Sequence, residues 1–202
     1  VGGGDSMLLH EILKYPNLEK AVGLELDQQV TRFAFKHFGA QPHWDNDKVE
    51  WWYGDATKSL LMLPEDYFGS FDMVLVDLSE TVMSFLVTDG LDVLEALSLL
   101  LKPDGIFVKN ELYFETMSEI FEQSIEVVFF DNPVLCSQAL ALGSNTVEFL
   151  KRDLTYHDVP TLLDHLDRDK NNEYKFIHHA RQNVTSAKKN CKHDDTVDRM
   201  AK

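Results

Sequence analysis

Short apolar runs alternate with amphipathic runs along most of the chain, as strands alternate with helices in α/β proteins. The strongest strand signal is FDMVLVDL over 71–78, because a strand covered on both faces is almost continuously apolar. Helical periodicity is clearest over 27–38, where the residues sharing one apolar face are Val30, Phe33, Ala34 and Phe38. This alternation predicts an α/β fold with parallel strands joined by right-handed crossovers.

The same pattern predicts the remaining elements. Further strands are expected at 20–26, 48–54, 106–110, 125–130 and 146–150, and helices at about 8–13, 56–63, 82–101 and 114–123. The segment LKPDG at 101–105 is predicted to be a turn. The last two strands have no long helix between them, which favours an antiparallel hairpin. We therefore expect a Rossmann-like, doubly wound, mostly parallel sheet of seven strands that ends in a C-terminal hairpin.

Composition is consistent with one domain followed by a polar extension. The 202 residues are 44% hydrophobic, enough for a substantial core. After Lys151 the chain becomes polar and charged, so we expect a folded domain over 1–150 and a poorly packed extension over 151–202. The aromatic residues expected to pack in the core or in a lid are Phe33, Phe35, Phe38, Trp44, Trp51 and Trp52.

Charge and cysteine content narrow the class of partner and compartment. A formal net charge of −15 disfavours nucleic acid and suits either a cationic substrate or solubility alone. Cys136 and Cys191 do not form a disulfide framework, so we expect a reducing compartment, the cytoplasm or an organelle interior. No apolar stretch approaches the roughly 20 residues that a membrane span needs. The eight histidines do not form a metal-ligand set, so no metal is expected.

The chain opens with VGGGDS, a glycine-rich turn that leads into a helix. Gly2 and Gly4 permit a tight turn and leave backbone N–H groups open to a ligand. Such a turn normally follows a β-strand, but only Val1 precedes it here. We therefore expect the sequence to be a fragment whose preceding residues belong to the same sheet.

Acidic residues follow nearly every predicted strand, at the sheet edge where ligands bind in open α/β folds. Glu25 lies 21 residues beyond Gly4, the spacing at which a carboxylate accepts from both hydroxyls of a ribose. Any one of these acids could instead cap a helix, but the ordered set predicts a nucleoside site. Its members are Asp5, Glu25, Asp27, Asp55 and the pair Asp77 and Glu80, with Asn110 and Glu111 after the fifth strand.

The stretches GGGDS, GLELD, GDA, FDMVLVDLSE and LKPDGIF together resemble the aminopropyltransferase family, the spermidine and spermine synthases. That family shares the fold of class I S-adenosylmethionine-dependent methyltransferases, and the resemblance covers about 1–150. It implies transfer of an aminopropyl group from decarboxylated S-adenosylmethionine to a cationic polyamine acceptor, without a metal. It also implies a homo-oligomer or larger assembly, formed through an N-terminal β-hairpin that this sequence does not include.

The resemblance further implies a role for each acid at the strand ends. The loop of Gly2, Gly3 and Gly4 receives the nucleoside, and Asp5 faces the amine of the aminopropyl group. Glu25 holds the ribose and Asp55 the adenine. Asp77 orients or deprotonates the attacking amine, with help from Glu80, because a carboxylate can both hold the amine and take its proton. As the acid that ends the most buried strand, Asp77 is expected where an apolar wall meets the cleft.

The chain departs from the family's pattern in three places. Ser6 and Met7 replace glycines, DLSET at 77–81 replaces D-S-S-D-P, and NPVLCSQ at 132–138 replaces T-Y-P-S-G. Two alternatives therefore stay open. One is an S-adenosylmethionine-dependent methyltransferase, and the other is a catalytically silent scaffold with the same fold.

Overall fold

The computed structural model describes residues 1–78, 80–110, 114–132 and 136–149. The chain forms two compact units, Val1–Lys109 and Asn110–Lys202. The predicted polar extension over 151–202 lies outside the described residues, as do Ser79, Glu111 and part of the NPVLCSQ segment. Within the described ranges, no helix is long and apolar enough to cross a bilayer.

The first unit alternates strands and helices. Its elements are α1 (Met7–Ile12), β1 (Ala21–Glu25), α2 (Gln28–Phe38), β2 (Val49–Tyr53), α3 (Ala56–Met62), a 3₁₀ turn (Glu65–Tyr67), β3 (Phe71–Val76), α4 (Glu80–Met83), β4 (Leu86–Thr88), β5 (Leu91–Asp92), α5 (Val93–Ser98) and β6 (Leu101–Asn110). The second unit contains α6 (Phe114–Ile120), β7 (Gln123–Asn132) and β8 (Cys136–Ser144). The predicted order from α1 to β3 is confirmed.

The first unit contains two parallel strand pairs, which belong to separate sheets. In the pair β1/β2, Glu25 lies opposite Tyr53. In the pair β3/β6, Val76 lies opposite Lys109, and the register shifts so that 102–105 bulge out. The predicted LKPDG turn is thus an interruption within β6. The α/β class is confirmed, whereas a doubly wound sheet of seven strands is not confirmed by the described residues.

The backbone of Val1 and Gly2 lies between the carboxyl ends of β1 and β3. The Val1 nitrogen donates to the Leu75 carbonyl at 2.7 Å, and the Val1 carbonyl accepts from the Asp77 N–H at 2.9 Å. On the other side, the Gly2 N–H donates to the Leu24 carbonyl at 2.9 Å. The carboxyl ends of β1 and β3 therefore lie at the same edge of the first unit, one on each side of the Val1–Gly2 backbone.

The predicted long helix over 82–101 is wrong. A short antiparallel hairpin, β4/β5, separates α4 from α5. Gly90 adopts φ 104°, a conformation that residues with a Cβ rarely accept, and it turns the chain back on itself. Asp92 and Glu95 then form a reciprocal capping box, so α5 begins at Val93.

The predicted C-terminal hairpin is present in the second unit, but its second strand was placed wrongly. β7 pairs antiparallel with β8, which spans Cys136–Ser144 and not 146–150. The Ser144 hydroxyl accepts from the backbone N–H groups of Thr146 and Val147 at 3.4 and 3.2 Å. These N–H groups are therefore engaged by a turn and not by a strand ladder.

Burial of the aromatic residues differs from the prediction. The buried residues of α2 are Thr31 and Ala34, whereas Phe33 and Phe38 are 54% and 84% exposed. Core packing was thus a wrong prediction for these two phenylalanines, and Phe35 and Trp44 are also exposed. Trp51 and Trp52 on β2 are half-buried. The small side chains of α2, and not its large ones, lie in the interior.

A polar cluster joins the segment before β1, β2 and the 3₁₀ turn. The Lys20 ammonium lies 2.7 Å from a Glu50 carboxylate oxygen and also donates to the Tyr67 hydroxyl. Tyr67 in turn donates to Glu50 at 2.7 Å, and the Trp52 indole N–H donates to the same carboxylate. These hydrogen bonds hold the pKa of Glu50 below its usual value, and the bond from Lys20 contributes more than those from Tyr67 and Trp52. The Glu50 carboxylate raises the pKa of Lys20.

This cluster predicts an acid-dependent contribution to stability. A carboxylate whose pKa is depressed on folding stabilises the protein above its unfolded pKa of about 4.5, and this contribution is lost as pH falls through the folded value. Glu50→Gln is expected to lower the free energy of unfolding by about 0.5–1 kcal/mol at pH 7, a small effect because the pair is partly exposed. Urea unfolding of both proteins at pH 7 and pH 3.5 measures the difference. If the two proteins differ in free energy of unfolding by the same amount at pH 7 and at pH 3.5, this role of Glu50 is contradicted.

Candidate nucleoside site

The glycine loop between Val1 and α1 is a sequence of tight turns. The Gly4 N–H donates to the Gly2 carbonyl at 3.0 Å, and the Ser6 N–H donates to the Gly3 carbonyl at 2.9 Å. Gly2 adopts φ 83°, and a Cβ built on it would overlap the Asp77 carbonyl oxygen. Only glycine therefore fits at position 2, where the loop passes against the residue that follows β3.

Glu25, the last residue of β1, packs directly against this loop. A Cβ on Gly4 would lie 2.5 Å from Glu25 Oε2, so the absence of a side chain at position 4 makes room for the carboxylate. The other oxygen, Oε1, accepts from the Asp27 N–H at 3.1 Å. Glu25 is 8% exposed. Its carboxylate is thus held at the sheet edge by β1, by the loop and by the turn into α2.

Asp27 and Asp55 both cap helices. Asp27 Oδ1 accepts from the Gln29 N–H at 2.8 Å at the start of α2. Asp55 Oδ1 accepts from the hydroxyl and the N–H of Thr57 at 2.9 and 3.0 Å, and these bonds lower the pKa of Asp55. The Gly54 N–H donates to the Glu25 carbonyl at 2.9 Å, which ties the turn before Asp55 to the end of β1.

Asp5 and Asp77 are exposed at the same edge. Asp5 Oδ1 accepts from the Met7 N–H at 3.1 Å, at the start of α1. The expectation that Asp77 follows a strand covered on both faces is wrong, because Met73 of β3 is 49% exposed while Val74 and Val76 are buried. The first residue of α4 is Glu80, whose side chain lies outside the described part.

The loop of residues 2–5 therefore contacts the carboxylate of Glu25 on one side and the backbone of Asp77 on the other. Asp55 follows Gly54, which is hydrogen-bonded to Glu25. These acids thus share one edge of the first unit. Among the described residues, no three His, Cys, Asp or Glu side chains group closely enough to hold a metal ion.

One known protein family matches most of the chain. Residues 1–152 match the family described as the spermine/spermidine synthase domain. The chain belongs to this family. The match includes the glycine loop and the strand-end acids of the site described above.

Individual relatives of this spermine/spermidine synthase domain share about a third of its residues over the aligned region. A polyamine aminopropyltransferase of Xanthomonas campestris pv. campestris (strain B100) is 33% identical over 111 residues, which are 54% of this chain and 38% of the relative. One from Thermoanaerobacter sp. (strain X514) is 32% identical over 109 residues, with the same shares of the two chains. The aligned region thus spans less than half the length of these curated relatives.

Solved structures support the fold. A crystal structure of spermidine synthase in complex with the transition state analogue AdoDATO aligns with a TM-score of 0.59 at 20% identity, covering 73% of this chain and 54% of that one. Spermidine synthase from Thermotoga maritima aligns with a TM-score of 0.57 at 20% identity, covering 73% and 52%. At this identity the likeness concerns the α/β fold.

Ser6 is a strained residue of this spermine/spermidine synthase domain. It adopts φ 62° and ψ 9°, the left-handed conformation that glycine accepts without cost. It is 2% exposed, and its buried hydroxyl has no hydrogen-bond partner among the described residues. The sequence marked Ser6 only as a departure from glycine, whereas the structure adds the strain and the unpartnered hydroxyl.

Replacing Ser6 by glycine is therefore expected to stabilise the protein. Glycine removes both the left-handed strain and the buried hydroxyl. This stabilisation outweighs the greater freedom of glycine in the unfolded chain, so the free energy of unfolding should rise by about 0.5–1.5 kcal/mol. Urea unfolding measures the change. Ser6→Ala is the control, because it removes the hydroxyl and keeps the strain, and it should gain less. A Ser6→Gly protein less stable than Ser6→Ala would refute the account.

Sequence reasoning did not anticipate Lys109, which is fully buried at the carboxyl end of β6. A signal was present, because Gly105 and Phe107 are also buried and Lys109 continues their face of the strand. The strand predicted at 106–110 includes Lys109, but the burial of its side chain was not predicted.

Proposed function

We propose that this chain binds decarboxylated S-adenosylmethionine and transfers its aminopropyl group to a cationic amine. The observation that carries the proposal is the Glu25 carboxylate, held beneath the glycine loop at the edge it shares with Asp77. A buried carboxylate in this place suits the two hydroxyls of a ribose, since it accepts from both. Family membership and the names of the curated relatives support the reaction class.

The protein contributes to this reaction mainly by positioning the two substrates and by placing carboxylates next to the cationic amine. The amine nitrogen attacks the methylene next to the sulfonium, so that a C–N bond forms, the C–S bond breaks and methylthioadenosine leaves. The nitrogen can attack only with a free lone pair, so a nearby carboxylate first accepts the proton of its ammonium form. In our proposal Asp77 orients the amine and takes this proton, with help from Glu80, while Asp55 binds the adenine. We also propose that the unit has the class I methyltransferase type of doubly wound sheet.

Asp5 supplies the discrimination between nucleosides in this proposal. The carboxylate of S-adenosylmethionine would face the carboxylate of Asp5, whereas the amine of the decarboxylated form would be attracted to it. We expect calorimetric titration of the full chain to show binding of methylthioadenosine and of the decarboxylated form. Binding of S-adenosylmethionine should be at least about tenfold weaker, equal to about 1.4 kcal/mol.

Two results of this titration would contradict the proposal. Tighter binding of S-adenosylmethionine than of its decarboxylated form would favour a methyltransferase. Binding of none of the three nucleosides would leave the silent scaffold as the better description.

A further inference from the structure

Two aromatic residues of β2 lie on the same face of the sheet as Glu25. Gly23 is opposite Trp51 in the parallel register, and Glu25 is opposite Tyr53. A Cβ on Gly23 would lie 2.6 Å from the Trp51 ring, so this ring covers the Gly23 position. Trp51 and Tyr53 stack with ring centroids 5.7 Å apart and planes 7° apart. The Tyr53 ring therefore stands beside Glu25 on one face, at the carboxyl end of β2.

The loop that precedes β2 is attached to these two rings. The Trp44 indole N–H donates to the Tyr53 hydroxyl at 2.9 Å, and the Trp51 indole N–H donates to the Pro42 carbonyl at 2.8 Å. Trp44 also contacts Phe35 edge-on, with centroids 6.2 Å apart. Because the Tyr53 oxygen accepts the Trp44 N–H, its own proton is available to another acceptor. Trp44 is held in place and is nevertheless 48% exposed.

We propose that Trp44 and Tyr53 form an aromatic wall that binds the adenosine part of the ligand, an inference that rests on the proposed function. Tyr53 is adjacent to Glu25 in the sheet and precedes the Gly54-Asp55 turn in the chain. A purine held between these acids lies next to the wall. Purine faces stack on aromatic rings, and the Tyr53 hydroxyl donates to the ligand. The two residues thus determine specificity for a purine nucleoside.

The test is calorimetric titration of the full chain with methylthioadenosine, with tryptophan fluorescence followed in parallel. Trp44→Leu removes the flat ring and keeps an apolar side chain, and it should weaken binding about five- to fiftyfold. Tyr53→Phe removes only the hydroxyl, and it should weaken binding about threefold to tenfold. Trp52→Leu is the matched control, because Trp52 is the neighbouring tryptophan of the same strand and its indole donates to Glu50. It should bind as the unmodified chain does.

Fluorescence supplies a readout that a merely structural role would not change. Methylthioadenosine should protect Trp44 from acrylamide quenching, and this protection should disappear in Trp44→Leu and persist in Trp52→Leu. If the unmodified chain binds methylthioadenosine, and Trp44→Leu, Tyr53→Phe and Trp52→Leu all bind it with the same affinity, the inference is overturned and the proposed function is left intact. A chain that binds no nucleoside would overturn both. Should Trp44→Leu fail to fold, Tyr53→Phe and the quenching of the unmodified chain decide.

Discussion

Asp77→Asn is expected to abolish most aminopropyl transfer while leaving the fold and nucleoside binding nearly unchanged. Asparagine keeps the size of the side chain and the backbone N–H that donates to Val1, but it removes the charge and the base. If Asp77 holds the amine and takes its proton, the rate should fall by about two to four orders of magnitude. Methylthioadenosine should still bind with almost the original affinity, because Glu25 and the glycine loop are intact.

The measurement is the rate of methylthioadenosine release from decarboxylated S-adenosylmethionine with a series of di- and polyamines. Asp72→Asn is the matched control, because Asp72 lies in the same segment and its carboxylate makes an exposed ion pair with Lys102 at 2.7 Å. It should keep the full rate. An Asp77→Asn protein with more than about a tenth of the original rate would exclude Asp77 as the base. If the unmodified chain is inactive with every amine, the scaffold alternative replaces the enzyme.

Glu25→Ala is expected to weaken methylthioadenosine binding by about 1.5–3 kcal/mol, the range for a lost charge-assisted hydrogen bond. The carboxylate is buried against Gly4, so alanine removes both acceptors and leaves space where the sugar would be held. Glu25→Gln keeps the volume and one acceptor, and it should recover part of the loss. Calorimetry on the folded proteins measures the difference.

Glu11→Ala is the control for the Glu25 experiment. Glu11 is an exposed glutamate of α1 that pairs only with Lys14, at 2.6 Å, among the contacts of the described residues. Its removal should leave binding unchanged. A folded Glu25→Ala protein that binds methylthioadenosine as tightly as Glu11→Ala would disprove the nucleoside site.

Local patterns were sufficient for the elements from α1 to β3. The apolar runs of β1 and β3, and the capping residues Asp27 and Asp55, are local signals, and the structure follows them within about two residues. The edge shared by Glu25 and Asp77 also followed from sequence, because parallel strands bring their carboxyl ends together. The β4/β5 hairpin did not, because the apolar residues around Gly90 fit a helix as well as a short hairpin.

The sequence by itself determined the α/β class, the position of the glycine loop and the order of the strand-end acids. Tertiary structure decided what surrounds them, because burial and hydrogen bonding depend on which segments meet. It buried Glu25 beneath Gly4 and left Asp77 exposed. It also placed Trp44 against Tyr53, nine residues apart, since that contact exists only when the loop folds back onto β2. The periodicity of the sequence indicates on which face of a helix or strand a side chain lies, whereas packing decides which other residue that side chain contacts.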